Sequence, residues 1–163
     1  MNIILRQYSK NDLPEMIEIW NEVVEEGVAF PQMESLTLEE GESYFGEQSY
    51  CGVAENTDTK EVLGLYTLHP NNIGRCGHIS NASYAVKSNA RGCHIGEMMV
   101  KNSLDMGRKL GFSLLQFNAV VKTNASARHI YEKLGFVELG IIPKGYLLKS
   151  GAYEDIVLYY HEL

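Results

Sequence analysis

The sequence predicts an α+β fold: one central, mixed but mostly antiparallel β-sheet of about seven strands, flanked by about four helices. Three observations carry this expectation. Segments of helical period and β-prone runs follow each other in the order β-α-α-β-β-β-α-β-α-β-β. Three consecutive β-prone runs in the first half are separated only by short polar turns, which is the pattern of a meander. Two later strand-to-helix junctions each lead into an amphipathic stretch that a glycine closes.

Each element has its own local reason. Residues 2–7 (NIILRQ) form a short apolar run suited to a first strand. Ser9, Asn11 and Asp12 can then cap a helix, with Pro14 in its opening turn. Leu13, Met16, Ile17, Trp20, Val23 and Val24 recur at three- and four-residue steps and make one buried stripe, which Gly27 can end in a left-handed cap. Residues 28–36 lack a period and, with Phe30 and Pro31, read as a stiff apolar loop. Thr37 and Glu40 can form a capping box for a short helix through Phe45.

The meander comprises CGVAE (51–55), VLGLYTLHP (62–70) and CGHISNASYAVK (76–87), the last long enough to lie centrally. Ile95, Met98, Met99, Asn102, Met106 and Leu110 mark the next helical face. FSLLQFNAVV (112–121) is a strand, and the stretch from Asn124 is a capped helix whose Ala127, Ile130, Tyr131 and Leu134 share a side before Gly135. FVELGII (136–142) and DIVLYYHEL (155–163) complete the sheet. No repeat, low-complexity tract or linker divides the chain, so it reads as one domain over residues 1–163.

Composition narrows the function classes. Hydrophobic residues make up 45% of the 163, enough for one substantial core, and the charged fraction of 21% is far from that of disordered chains. The net charge of -7, with no Lys/Arg-rich run, argues against nucleic acid or an anionic membrane surface as the main partner. An anionic ligand would need local cradling. Cys51, Cys76 and Cys93 have neither disulfide-like nor metal-ligand spacing, so no metal is expected and they read as free thiols. With no signal-like or membrane-spanning apolar stretch, a cytoplasmic location is expected.

The stretch Val86–Gly96 sets a strand end, Arg91, Gly92 and Gly96 around the first turn of a helix. Unpaired backbone N–H groups and the positive end of the helix dipole suit a phosphate there, and Arg91 adds charge. The same glycines can also serve only a tight turn. A second motif, NASARHIYEKLGF (124–136), follows a strand about thirty residues on.

Together RGCHIG (91–96) and NASARHIYEKLGF resemble the GNAT superfamily of acetyl-CoA-dependent N-acetyltransferases, and the element order extends the resemblance over nearly the whole chain. The resemblance implies acetyl-CoA as co-substrate, no metal, and a small-molecule amine as acceptor. It implies a pyrophosphate cradle of Arg91, Gly92, Cys93, His94, Ile95 and Gly96, main-chain pairing of the pantetheine arm along Tyr84, Ala85 and Val86, and Asn124 beside that arm. Tyr131 would lie near the thioester. One departure stands out: the family loop R-x-x-G-x-G has glycine where this chain has His94, and a side chain there restricts the backbone.

A narrower resemblance rests on GRCGHISNASYAV, LQFNAVVKTNASARHIYEKLGF and LGIIPKGYLLKSG, which look like the fungal acetyltransferases of proline analogues such as azetidine-2-carboxylate. By position it implies substrate contacts from Asn81 and Asn118. Asn81 also falls where phosphinothricin-type relatives carry a glutamate base, and a carboxamide cannot take that proton. Water is then the expected proton acceptor, with His78 three residues away expected on the opposite face. Tyr131 has the phenol to donate to a departing thiolate; as a residue type alone it reads first as core, and the resemblance is what points to the site.

Asn118, in an apolar strand, is either a satisfied amide bracing strands or a pocket wall. Phe30, with Pro31, could close the acceptor pocket or pack on the core, and Arg75 and Lys144 could steer a carboxylate or be solvated. Cys93 lacks a base partner and is not read as a nucleophile. A homodimer is common in such folds, and Tyr153, Tyr159 and Tyr160 could serve an interface or only the sheet. The alternatives kept are another small-amine acceptor, including phosphinothricin, a peptide acceptor, and a non-catalytic acyl-CoA sensor.

Overall fold

The computed structural model describes all residues, 1–163. Its strands are β1 (Ile3–Gln7), β2 (Tyr50–Asn56), β3 (Val62–Pro70), β4 (Ile79–Val86), β5 (Leu114–Val121), β6 (Val137–Leu147) and β7 (Tyr153–Glu162). Its α-helices are α1 (Leu13–Glu26), α2 (Leu38–Gly46), α3 (Ile95–Lys109) and α4 (Ala125–Lys133). The order of elements is the one the sequence predicts.

Local chemistry accounts for the boundaries. Gly27, at φ 64°, closes α1 in the left-handed region where a Cβ is costly. At α2 the Thr37 hydroxyl accepts from Glu40 N–H at 3.2 Å and Glu40 carboxylate accepts from Thr37 N–H at 2.8 Å, so two orphan donors of the first turn are satisfied. Asn124 caps α4 by accepting from Ala127 N–H at 3.3 Å. Two strands differ from the expected bounds by more than two residues. β4 begins at Ile79 because Gly74–Cys76 is a single 3-10 turn, and β6 runs past Ile142 to Leu147.

The seven strands form one sheet in the order β1-β2-β3-β4-β5-β7-β6. Every neighbouring pair is antiparallel except β4 with β5. Helices α1 and α2 cover one face, where Trp20 packs on Phe30 and Phe45 above Val53, Leu65 and Ala85. The other face carries α3 and α4, with Met99 and Tyr131 packed against Tyr66, Phe117 and Tyr159. The two cores give the sheet a helix layer on each side and fix it as the rigid frame for the site.

Of the three C-terminal tyrosines, Tyr159 belongs to the core and accepts a hydrogen bond from Arg128 Nε at 2.9 Å, whereas Tyr153 is exposed. No helix is long and apolar enough to cross a membrane.

Candidate active site

The parallel pair β4/β5 holds register only at Ile79 with Leu114 and Ser80 with Leu115. Beyond Ser80 both strands continue without pairing, so that edge of β4 keeps its backbone groups free for another partner. A cleft of about 1010 Å³ lies along this divergence.

Strand alternation gives the cleft two different ends. Ala82, Tyr84 and Val86 of β4 face α3 and α4, while Ala85 packs in the core under α1. Asn81 and Ser83, at two-residue steps from Ala85, share its face, opposite His69 and Thr67 of β3. The cleft therefore connects the helix-α3 side of the sheet with the helix-α1 side through the gap between the strands.

On the α3 side the walls are Tyr84, Val86, the turn into α3, and α4 residues Asn124 and Tyr131. Gly92 has φ 82° and open space where a Cβ would stand. His94, the N-cap of α3, also takes a left-handed conformation, φ 60°, which the family's glycine would adopt without strain. Its side chain makes no capping hydrogen bond, and it lines the cleft. The Arg91 guanidinium is held by Glu26 at 2.6 Å.

Glu97, in the first turn of α3, would repel an anion at this end were it alone. Hydrogen bonds from Lys101 (2.7 Å) and Lys133 (2.8 Å) compensate its charge and hold its carboxyl down at about 2.

Tyr131 is 9% exposed, and its ring centroid sits 4.4 Å from that of Phe117 and 5.4 Å from that of Phe136. No protein group hydrogen-bonds its hydroxyl, and burial, with a smaller contribution from Tyr159, pushes the phenol well above its usual range. At neutral pH it is a proton donor, not a phenolate. The Tyr84 hydroxyl is 2.7 Å from Ser103 Oγ, and burial likewise raises it.

On the α1 side the cleft is lined by Val28, Ala29, Phe30, Pro31, Asn81 and Asn118. None of these six is charged. Phe30 does both things its residue type allows: its ring packs 4.4 Å from Trp20, and it lines the cleft. Its carbonyl accepts from the Tyr146 hydroxyl at 2.7 Å, which ties the loop to β6.

Asn118 likewise combines both readings. It stands at an irregularity where β5 shifts register against β7, lines the cleft, and is hydrogen-bonded to Asn71 and Gln116.

The structure thus gathers Phe30, Asn81, Tyr84, Val86, Arg91, Gly92, His94, Ile95, Gly96, Asn118, Asn124 and Tyr131 around one cleft. Ala85 and Cys93 are outside its lining: the Ala85 side chain points into the α1-side core, and Cys93 faces solvent at the turn. Arg75, His78 and Lys144 also stand clear of it.

Several residues went unread in the sequence. Glu26, Val28, Ala29, His129 and Lys133 line the cleft, and Asn71 braces Asn118 from the β3–β4 turn. His69 is half-buried directly across from Asn81, and burial lowers its pKa, so it is neutral at pH 7. Only the periodicity around Lys133 and His129 on α4 could have pointed to any of them. No group of three or more His, Cys, Asp or Glu side chains is arranged to hold a metal ion.

A splayed parallel pair beside a helix N-terminus, within this strand order, defines the class: the chain belongs to the acetyltransferase (GNAT) family, whose sequence model matches residues 13–136. Among solved structures it is similar to a GCN5-related N-acetyltransferase from Kribbella flavida, at 28% identity and a TM-score of 0.91, over 99% of this chain and 98% of that one. It shares the fold of a phosphinothricin acetyltransferase from Sinorhizobium meliloti in complex with AcCoA, at 21% identity and a TM-score of 0.91, over 100% of this chain and 89% of that one.

Among curated relatives it is 29% identical to the N-acetyltransferase aca1 of Schizosaccharomyces pombe, covering 86% of this chain and 76% of that protein. It is also 32% identical over 91 residues to Protein SPT10 of Saccharomyces cerevisiae, which is 56% of this chain but only 14% of that protein's length.

Proposed function

We propose that the protein transfers acetyl from acetyl-CoA to the amine of a small amino-acid-like acceptor, a proline analogue such as azetidine-2-carboxylate, by direct attack in a ternary complex. The observation that carries this reading is the two-ended cleft: a charged end at the start of α3 passes through the strand gap to an uncharged, amide-bearing end under α1. A small acceptor fits that second end, which Phe30 and Pro31 border. Asn81, where phosphinothricin-type relatives carry a glutamate, weighs against phosphinothricin itself.

In this account the α3 N-terminus, Arg91 and Gly92 hold the pyrophosphate of acetyl-CoA, and the free edge of β4 pairs with its pantetheine arm. Asn124, whose Oδ1 is used by the α4 cap, has its Nδ2 left for the same arm. Acetyl-CoA supplies the activated thioester. Asn81 and Asn118 orient the acceptor so that its neutral amine faces the thioester carbon. A new C–N bond forms as the C–S bond breaks. The amine proton leaves to water, and Tyr131 donates its phenolic proton to the departing sulfur. A backbone N–H at Tyr84 or Ala85, left unpaired by the splay, faces the developing oxyanion.

Release of free CoA thiol from acetyl-CoA across azetidine-2-carboxylate, cis-4-hydroxyproline, proline, phosphinothricin, primary amino acids and a polyamine tests this reading. Turnover confined to cyclic imino acids supports it. Turnover of phosphinothricin or of polyamines alone would replace the acceptor. Silence with every amine, while acetyl-CoA binds, would favour a sensor.

A further inference from the structure

Asn118 is the one polar side chain that β5 offers to the acceptor end of the cleft, and a carboxamide can present either a carbonyl or an N–H. Which of the two it shows decides whether the subsite prefers an ammonium or a carboxylate. The surrounding hydrogen bonds fix the answer. Asn118 Oδ1 accepts from Gln116 Nε2 at 3.0 Å and from Asn71 Nδ2 at 3.3 Å, which fills both lone-pair directions of the carbonyl. Asn118 Nδ2 donates one hydrogen to Asn71 Oδ1 at 2.5 Å. One N–H remains, and it is the only unsatisfied hydrogen-bonding capacity the side chain has left.

Asn81 is biased the same way. Its Oδ1 accepts from Ala82 N–H at 2.8 Å, so its two Nδ2 hydrogens are left for a ligand. The two carboxylates that line the cleft, Glu26 and Glu97, are engaged by Arg91 and by Lys101 and Lys133. The acceptor end therefore offers N–H donors and no free anionic acceptor.

We infer that Asn71, in the turn between β3 and β4, is a positioning residue that locks Asn118 with its N–H toward the cleft and so makes the subsite select amines bearing a carboxylate. This rests on the acetyl-transfer reading above. Asn71 acts through Asn118 without lining the cleft itself. Its reciprocal pair spans the mouth of the gap, joining the β3–β4 turn to β5 across a sequence separation of 47 residues. Without Asn71, Gln116 alone holds the Asn118 carbonyl and nothing in the protein accepts from its Nδ2; the amide is then held at one end only, and when it turns over its carbonyl faces the carboxylate.

The test is the ratio of kcat/KM for azetidine-2-carboxylate to that for azetidine, which lacks the carboxylate, in wild type, Asn71→Ala, Asn118→Ala and the double variant. Wild type is expected to prefer the acid. Asn71→Ala is expected to cut that preference about tenfold, the scale of one charge-assisted hydrogen bond, with KM for acetyl-CoA unchanged. The double variant is expected to lose no more than Asn118→Ala, because the two residues act as one unit. If Asn71→Ala does not fold, Asn71→Ser, too short to reach Asn118, serves in its place.

Additive losses, or an unchanged preference in Asn71→Ala, overturn the positioning role. A wild type that acetylates both amines equally overturns the carboxylate subsite while leaving acetyl transfer intact. A wild type that acetylates no amine overturns both.

Discussion

His94→Gly tests whether the start of α3 is strained. His94 sits at φ 60° and ψ 12°, a conformation that brings a Cβ close to backbone, and its side chain makes no capping hydrogen bond in return. Relieving the left-handed conformation is worth about 1–2 kcal/mol. The glycine then gives back about 0.4–1 kcal/mol, because it has more freedom to lose on folding. At the middle of both ranges the net is about 0.8 kcal/mol in favour of the variant, or a rise in Tm of about 2–3 °C for a chain of this length.

Because His94 is exposed, little packing is lost to offset the gain. Differential scanning calorimetry of the ligand-free protein reads the change directly. A Tm equal to wild type, or lower, would refute the reasoning and mean that the imidazole makes a stabilising contribution as large as the strain.

Tyr131→Phe is expected to lower kcat about 100-fold or more while shifting Tm little, since no protein group hydrogen-bonds its hydroxyl; steady-state kinetics beside a thermal melt separate the two. Tyr146→Phe removes the donor to Phe30 C=O in a buried setting. It should cost about 1–2 kcal/mol and raise the acceptor KM by loosening the loop, with denaturant titration and kinetics as readouts.

Asp12 is held below its usual range chiefly by hydrogen bonds from Arg6, at 2.8 Å, with Ser9 contributing. A depressed folded pKa stabilises the fold above the unfolded value of about 3.9 and ceases to do so as pH falls through the folded one. Urea titrations from pH 7 to pH 2.5 should therefore show wild type losing stability below about pH 4, and Asp12→Asn losing less over that interval.

The fold was legible wherever a short-range rule controlled it. The three- and four-residue spacing from Leu13 to Val24, the Thr37–Glu40 box and the cap at Asn124 each specify an element from its own residues, and each stands where the sequence placed it. β6 ran past its expected end because Pro143, Lys144 and Gly145 look like a turn. They lie instead in an edge strand, across a register shift between Ile142 and Tyr146, where a residue without an N–H breaks no ladder.

That Arg91, Gly92, His94 and Tyr131 share one cleft was legible because each belongs to a contiguous motif. The partners that shape the α1-side end of the cleft were not. Asn71 meets Asn118, and His69 meets Asn81, only through the pairing of β3 with β4 and the failure of β4 to stay with β5. Ala85 was named for its main chain, which its side chain leaves free: strand alternation sends that side chain into the core under α1 while Tyr84 and Val86 face the other way.

The proposed reaction brings acetyl-CoA and a small imino acid together in the cleft for direct transfer. Mass spectrometry of reactions containing acetyl-CoA and azetidine-2-carboxylate tests it most directly. N-acetylazetidine-2-carboxylate is expected to form one-for-one with free CoA, with no acetyl group left on the protein. An acetylated protein intermediate, or CoA release without the N-acetyl product, would contradict it.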